Sequence, residues 1–158
     1  MLKNKIKVKK GQRSGNKIII DGITFKSNLE GNCYIRLKAA GLYGLLKYEA
    51  KTFKILDGFK LANDFYFPNL AGNLVIQTKK VLPIHYTPDF YGEFKNYVII
   101  IETKGKANES YPVRIKLFKY FIEVKKMKVL FFEPHNIKQI NQSIEIIQKF
   151  IKDNSNNG

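Results

Sequence analysis

The chain has 158 residues, with 28 Lys and Arg against 13 Asp and Glu, and a formal charge of +15. Its 44% hydrophobic and 13% aromatic content argues against a disordered chain, and the length suits one domain able to bury a core. One cysteine, Cys33, and two histidines, His85 and His135, exclude an internal disulfide and a Cys/His zinc site, and no apolar run approaches the roughly 20 residues of a membrane span.

The charge is uneven. Residues 1–17 hold Lys3, Lys5, Lys7, Lys9, Lys10, Arg13 and Lys17 and no acid, loosened by Gly11, Ser14 and Gly15. They are expected to form a basic arm that orders on a polyanion such as nucleic acid; a solvated tail is the ordinary alternative. No apolar segment follows the basic start, so it does not read as a signal peptide, and the lone cysteine fits a reducing compartment. The expected division is an arm over 1–17, a single domain over 18–152 and a polar tail over 153–158.

Within the domain, Ile18–Ile20 and Ile23–Phe25 flank Asp21-Gly22, the signature of a tight hairpin. Ser27 followed by Glu30 reads as a capping box opening a helix, with Leu29, Cys33, Leu37 and Ala40 at helical spacing and Gly41 as its stop. Residues 48–56 read as one strand and 57–73 as an elaborated loop. Short strands are expected at 74–76 and 81–82. Residues 86–91 form an extended entry into a strand, with a short connection at 92–96. Residues 97–103 are the most apolar run, apolar on both faces up to Ile101, and so a central buried strand. A helix over 110–123 tolerates Pro112 in its first turn. A strand over 128–132 stops at Pro134, and Ile137, Ile140, Ile144, Ile147 and Ile151 mark a final amphipathic helix. The order predicts an α/β domain: a mixed sheet flanked by helices.

The central strand ends in Glu102-Thr103-Lys104. Alternation puts Glu102 and Lys104 on one face, where they are costly to bury unpaired. Asp89, thirteen positions earlier, is expected beside Glu102. Adjacent carboxylates repel, and a divalent cation relieves the repulsion. Oxygen ligands without Cys or His favour Mg²⁺, with Mn²⁺ able to substitute. Such a site suits phosphodiester hydrolysis, with Lys104 orienting water or stabilising charge and Glu30 as a third carboxylate, a direct ligand or one acting through water. Each group has an ordinary alternative: Glu30 a cap, Asp89 a turn residue after proline, Lys104 a strand-end lysine in solvent. Arg13 and Lys17 of the arm, and Lys106, Arg114, Lys116 and Lys119 after the strand, are candidate phosphate contacts or a solvated basic face. His85 is a weaker candidate near the site.

Three blocks, Phe25-Lys26-Ser27-Asn28-Leu29-Glu30, Tyr86-Thr87-Pro88-Asp89-Phe90 and Glu102-Thr103-Lys104-Gly105, together resemble the phage endonuclease I group of Holliday-junction resolvases, within the PD-(D/E)-x-K nuclease superfamily. The resemblance implies a restriction-endonuclease-like core, metal ligation by Asp89 and Glu102 with the Thr103 carbonyl, and catalytic roles for Glu30 and Lys104. It further implies branched DNA, a four-way junction above all, as substrate, a homodimer making paired cuts, and a bacterial or phage-infected cytoplasm as its place. The stretch 57–84 and the elements at 127–152 depart from the compact pattern. Two other readings stand beside this one: the same chemistry on nicked, flapped or restriction-type DNA, or a non-catalytic nucleic-acid-binding module resting on charge alone.

Overall fold

The computed structural model describes residues 17–77, 80–105 and 110–155; Arg13, Lys106 and the arm before Lys17 lie outside them. The described residues open with a hairpin of β1 (Ile18–Ile20) and β2 (Ile23–Phe25). Asp21 (φ 52°) and Gly22 (φ 78°) both take the left-handed conformations that such a two-residue turn requires. Helix α1 (Asn28–Ala39) follows, its first turn capped by Ser27.

The expected single strand over 48–56 is two strands, β3 (Lys47–Tyr48) and β4 (Phe53–Leu56). Glu49 breaks it: its φ is +45° and its amide donates to the Asp89 carbonyl at 2.8 Å, so β3 ends there and β4 pairs elsewhere. The stretch 57–73 is not all loop, since β5 (Tyr66–Pro68) pairs with β6 (Leu74–Ile76). At Val81 only a single bridge to Phe59 forms in place of the expected strand, and β7 (Ile84–Tyr86) pairs with β4.

β8 (Phe90–Phe94) and β9 (Tyr97–Ile101) form a tight antiparallel pair, so Gly92 lies inside a strand rather than in the connection. A Cβ on Gly92 would sit 2.4 Å from the Leu45 carbonyl oxygen, which explains a glycine in mid-strand. Lys95, with φ +53°, begins the turn. Helix α2 (Tyr111–Val124), β10 (Val129–Phe132) and helix α3 (Ile137–Ser155) complete the chain. The polar tail expected from residue 153 is therefore helical to Ser155, where Asn154 and Ser155 side chains donate to the carbonyls of Phe150 and Ile151.

The principal sheet has the order β10-β9-β8-β3, with β9 parallel to β10 and antiparallel to β8. This is a mixed α/β architecture. Alternation sorts its side chains into two cores. Phe90, Ile99, Ile101, Leu130 and Phe132 pack with α1 and α3 on one face. Tyr91, Val98, Ile100, Val129 and Phe131 pack with α2 on the other. β9 thus lies centrally between two helical layers, as its two apolar faces require. Among the described residues, no helix is long and apolar enough to cross a membrane.

Candidate functional site

The β8–β9 register pairs Phe90 with Ile101 and Tyr91 with Ile100. Continued one step, it sets Asp89 opposite Glu102. The Asp89 amide donates to Glu102 Oε2 at 3.3 Å, while Asp89 Oδ2 accepts from the Thr103 amide at 2.8 Å and the Thr103 hydroxyl at 2.6 Å. Beyond Ile101 the chain stays extended along β10: the Glu102 amide donates to the Phe132 carbonyl at 2.9 Å and the Lys104 amide to the Pro134 carbonyl at 3.0 Å. Both side chains consequently reach one cleft of about 290 Å³ at the end of the sheet.

Glu30 reaches the same cleft from α1. Its capping box is reciprocal, because its amide donates to Ser27 Oγ at 3.2 Å and its carboxylate accepts from the Ser27 hydroxyl and the Lys26 amide, each at 2.9 Å. Oε2 also accepts from the Tyr48 hydroxyl at 2.6 Å. Glu30 is buried, at 7% exposure, and three of the four lone-pair directions of a carboxylate are occupied. Burial, and then the bond to Glu30, raise the Tyr48 phenol pKa.

Glu102 is 8% exposed. Burial lifts the Asp89 carboxyl above the ordinary carboxylate range, the charge of Glu102 lifts it further, and the Thr103 bonds oppose the rise. Glu102 shifts upward too, chiefly through burial, against the opposing influence of Tyr86, the Asp89 amide, Lys104 and Arg114. Tyr86 is buried against α2, its ring stacked on Phe118 at 4.1 Å. Its hydroxyl is near enough to Glu102 for each to perturb the other's ionisation, yet it completes no hydrogen bond with any described residue.

The remaining wall is cationic and aromatic. The Lys104 ammonium sits 4.3 Å from the Tyr111 ring centroid, and Arg114 lines the cleft from the next turn of α2. Tyr111 also donates to Glu133 at 2.9 Å. At the opposite rim Lys26 is ion-paired with Glu49. Sequence reasoning did not single out Glu49, Tyr86 or Lys26 as functional groups. No local sequence signal marks Glu49, whose left-handed backbone answers a distant contact with Asp89, and Lys26 is legible only as the residue before the cap.

The structure therefore brings Glu30, Asp89, Glu102, Thr103, Lys104 and Arg114 together. It leaves out other candidates. Lys116 and Lys119 are on α2 but do not line the cleft, and Lys119 is bound to Glu133 at 2.5 Å. Lys17 directly precedes β1 and is exposed outside the cleft, and His85 is exposed on β7 opposite Lys54.

Among the described residues, no three His, Cys, Asp or Glu side chains converge tightly enough to form a metal cage by themselves. The donor set nevertheless fits a hard divalent cation. A buried and a half-buried carboxylate, Glu102 and Asp89, lie side by side, both driven toward neutrality by desolvation, with oxygen donors and no sulfur or imidazole in the cleft. A cation there would draw on Asp89 and Glu102, since Glu30 is already engaged.

No curated protein and no solved structure matches the chain. A family model described as "Protein of unknown function (DUF1064)" matches residues 10–133. That span contains every residue lining the cleft and ends at the residue after β10, leaving α3 outside. With 124 of 158 residues matched, the chain belongs to this family of unknown function.

Proposed function

We propose that the protein is a Mg²⁺-dependent endonuclease, with Mn²⁺ able to substitute, and that its substrate is branched DNA cut in pairs by a homodimer, as a Holliday-junction resolvase cuts. The observation that carries the reading is the pairing of Asp89 with Glu102 in a cleft that also holds Lys104. Two crowded carboxylates at the end of an apolar strand have no structural use that a neutral pair would not serve better. The sheet order, with two antiparallel strands carrying the acids and a parallel strand following α2, is consistent with a restriction-endonuclease-like core.

In this reading Asp89 and Glu102, with the Thr103 carbonyl, hold the cation, which when bound polarises the scissile phosphate and acidifies a water. Lys104 orients the attacking water and offsets charge on the pentavalent phosphorus. Its stacking on Tyr111 keeps the flexible stem aimed at the cleft. Arg114 binds a phosphate beside the cut. Glu30 fixes α1 against Tyr48 and holds an acidic wall behind the water. The charge of +15 supplies affinity for the DNA backbone independent of sequence.

The test is cleavage of end-labelled four-way junction, flap, duplex and single strand of matched sequence, with Mg²⁺ and with EDTA. Paired symmetric cuts in the junction, lost in EDTA and in Glu102→Gln, are expected. Cutting of every substrate retains the chemistry and removes the branch preference. Salt-sensitive binding without product in either metal overturns the nuclease reading in favour of a binding module.

A further inference from the structure

The chain runs out and back through two antiparallel ladders and one bridge: Phe53 with Tyr86, Lys54 with His85 and Leu56 with Ile84 at the base, Phe59 with Val81 between, and Tyr66 with Ile76 and Pro68 with Leu74 at the far end. The two halves of this excursion differ. The base is anchored: Phe53 and Tyr86 are buried against Phe118 of α2. The distal half is not. Every residue from 62 to 74 is exposed, and the exposed set includes Phe65, Tyr66, Phe67, Leu70 and Leu74. A two-stranded ribbon alone in water is marginal at best, and so large an apolar surface marks an interface.

Charge decides the partner. Residues 65–77 hold no Asp, Glu, Lys, Arg or His, the longest uncharged run among the described residues of a chain that is 26% charged. A ribbon in a DNA groove lies between phosphate rows and needs cations of its own; the stretch 65–77 has none. Two copies of a chain carrying +15 repel each other, so a self-contact must be built from a segment free of like charge. The arm from 59 to 77, whose only charged residues are Lys60 and Asp64 and whose net charge is zero, has 19 residues and approaches the roughly 20–30 residues a side of a stable interface.

We infer that the distal ribbon, β5 and β6 with their turn, is a dimerisation arm that packs against a second copy of this chain. It joins two like-charged bodies through an uncharged contact, and a two-fold arrangement closes it. The strand leaving its base runs through Thr87, which lines the cleft, to Asp89, so the arm fixes the spacing of the two clefts. In that consequence, though not in the dimer itself, the inference rests on the nuclease reading.

The experiment is sedimentation velocity of the full chain across micromolar concentrations, with Phe67→Lys/Leu74→Lys and Phe67→Leu as variants. Wild type and Phe67→Leu are expected at twice the 18.3 kDa chain mass, and the double lysine variant as a monomer with an unchanged thermal melt. Because only like charges oppose the contact, raising salt from about 0.05 to 0.5 M is expected to tighten the wild-type dimer severalfold. A monomeric wild type, a double variant that stays dimeric, or a dimer loosened by salt overturns the proposal. A monomeric wild type whose junction binding is lost in the double variant would assign the arm to DNA instead. On a junction, the double variant is expected to nick one strand where wild type cuts two. If neither protein cuts, the nuclease reading fails while the mass measurement still decides the arm.

Discussion

The two acidic walls of the cleft are built on opposite principles. On the α1 wall, Glu30 accepts three hydrogen bonds, from Lys26, Ser27 and Tyr48, and its charge is spent on ordering the helix start. On the strand wall, Asp89 and Glu102 crowd each other, and burial drives both toward protonation. A carboxylate engaged by three donors holds structure. A crowded pair carries unfavourable electrostatic energy that folding alone has no reason to retain. The contrast separates an acid engaged in structure from two that the proposed function makes the reacting pair, within the same cavity.

The sharpest way to break that distinction is to neutralise each wall in turn. Asp89→Asn and Glu102→Gln should each lower cleavage by roughly a thousandfold while raising the melting temperature by about 2–4 °C in calorimetry. An active variant, or a destabilised one, would erase the difference between the walls. Glu30→Ala should do the reverse on stability. It loses a cap and leaves the Tyr48 hydroxyl unpaired, costing about 2–3 kcal/mol in a denaturant titration.

A smaller effect is expected from pH. A carboxyl whose pKa is higher in the folded than in the unfolded chain binds more protons when folded across the interval between the two values. Stability therefore falls as pH rises from about 4 through the folded pKa values of Asp89 and Glu102. Metal-free protein should lose melting temperature over that interval, and Mg²⁺ should restore it at the upper end but not at the lower. A flat profile, or an equal Mg²⁺ effect at both ends, would contradict the crowding. The smallest effect belongs to the rim. Lys26→Met removes an ion pair whose lysine is 66% exposed, and should change stability by less than about 1 kcal/mol.

Features resting on local chemistry were legible in the sequence. The Asp21-Gly22 turn, the Ser27–Glu30 box, the doubly apolar β9 and the α3 isoleucine stripe all form. The placement of Asp89 beside Glu102 followed from strand register. Features decided by distant contacts were not legible. Nothing local to 48–56 says that Glu49 will turn left-handed to meet the Asp89 carbonyl. Gly92 resembles a loop glycine until the Leu45 backbone is laid against it. The end of α3 is not legible either: Asp153-Asn154-Ser155 has the composition of a polar terminus, yet the Asn154 and Ser155 side chains satisfy carbonyls one turn back. Lys116 and Lys119 were grouped with Arg114 by charge, but only Arg114 lines the cleft.

The amides of Glu102 and Lys104 are held by carbonyls at Phe132 and Pro134. A nascent chain has its Glu30, Asp89 and Glu102 side chains long before the strand that straightens Glu102-Thr103-Lys104 has been synthesised. The cleft is therefore among the last parts of the molecule to be assembled at the ribosome, and a chain ending before β10 would carry every candidate catalytic side chain without the backbone ladder that aligns them.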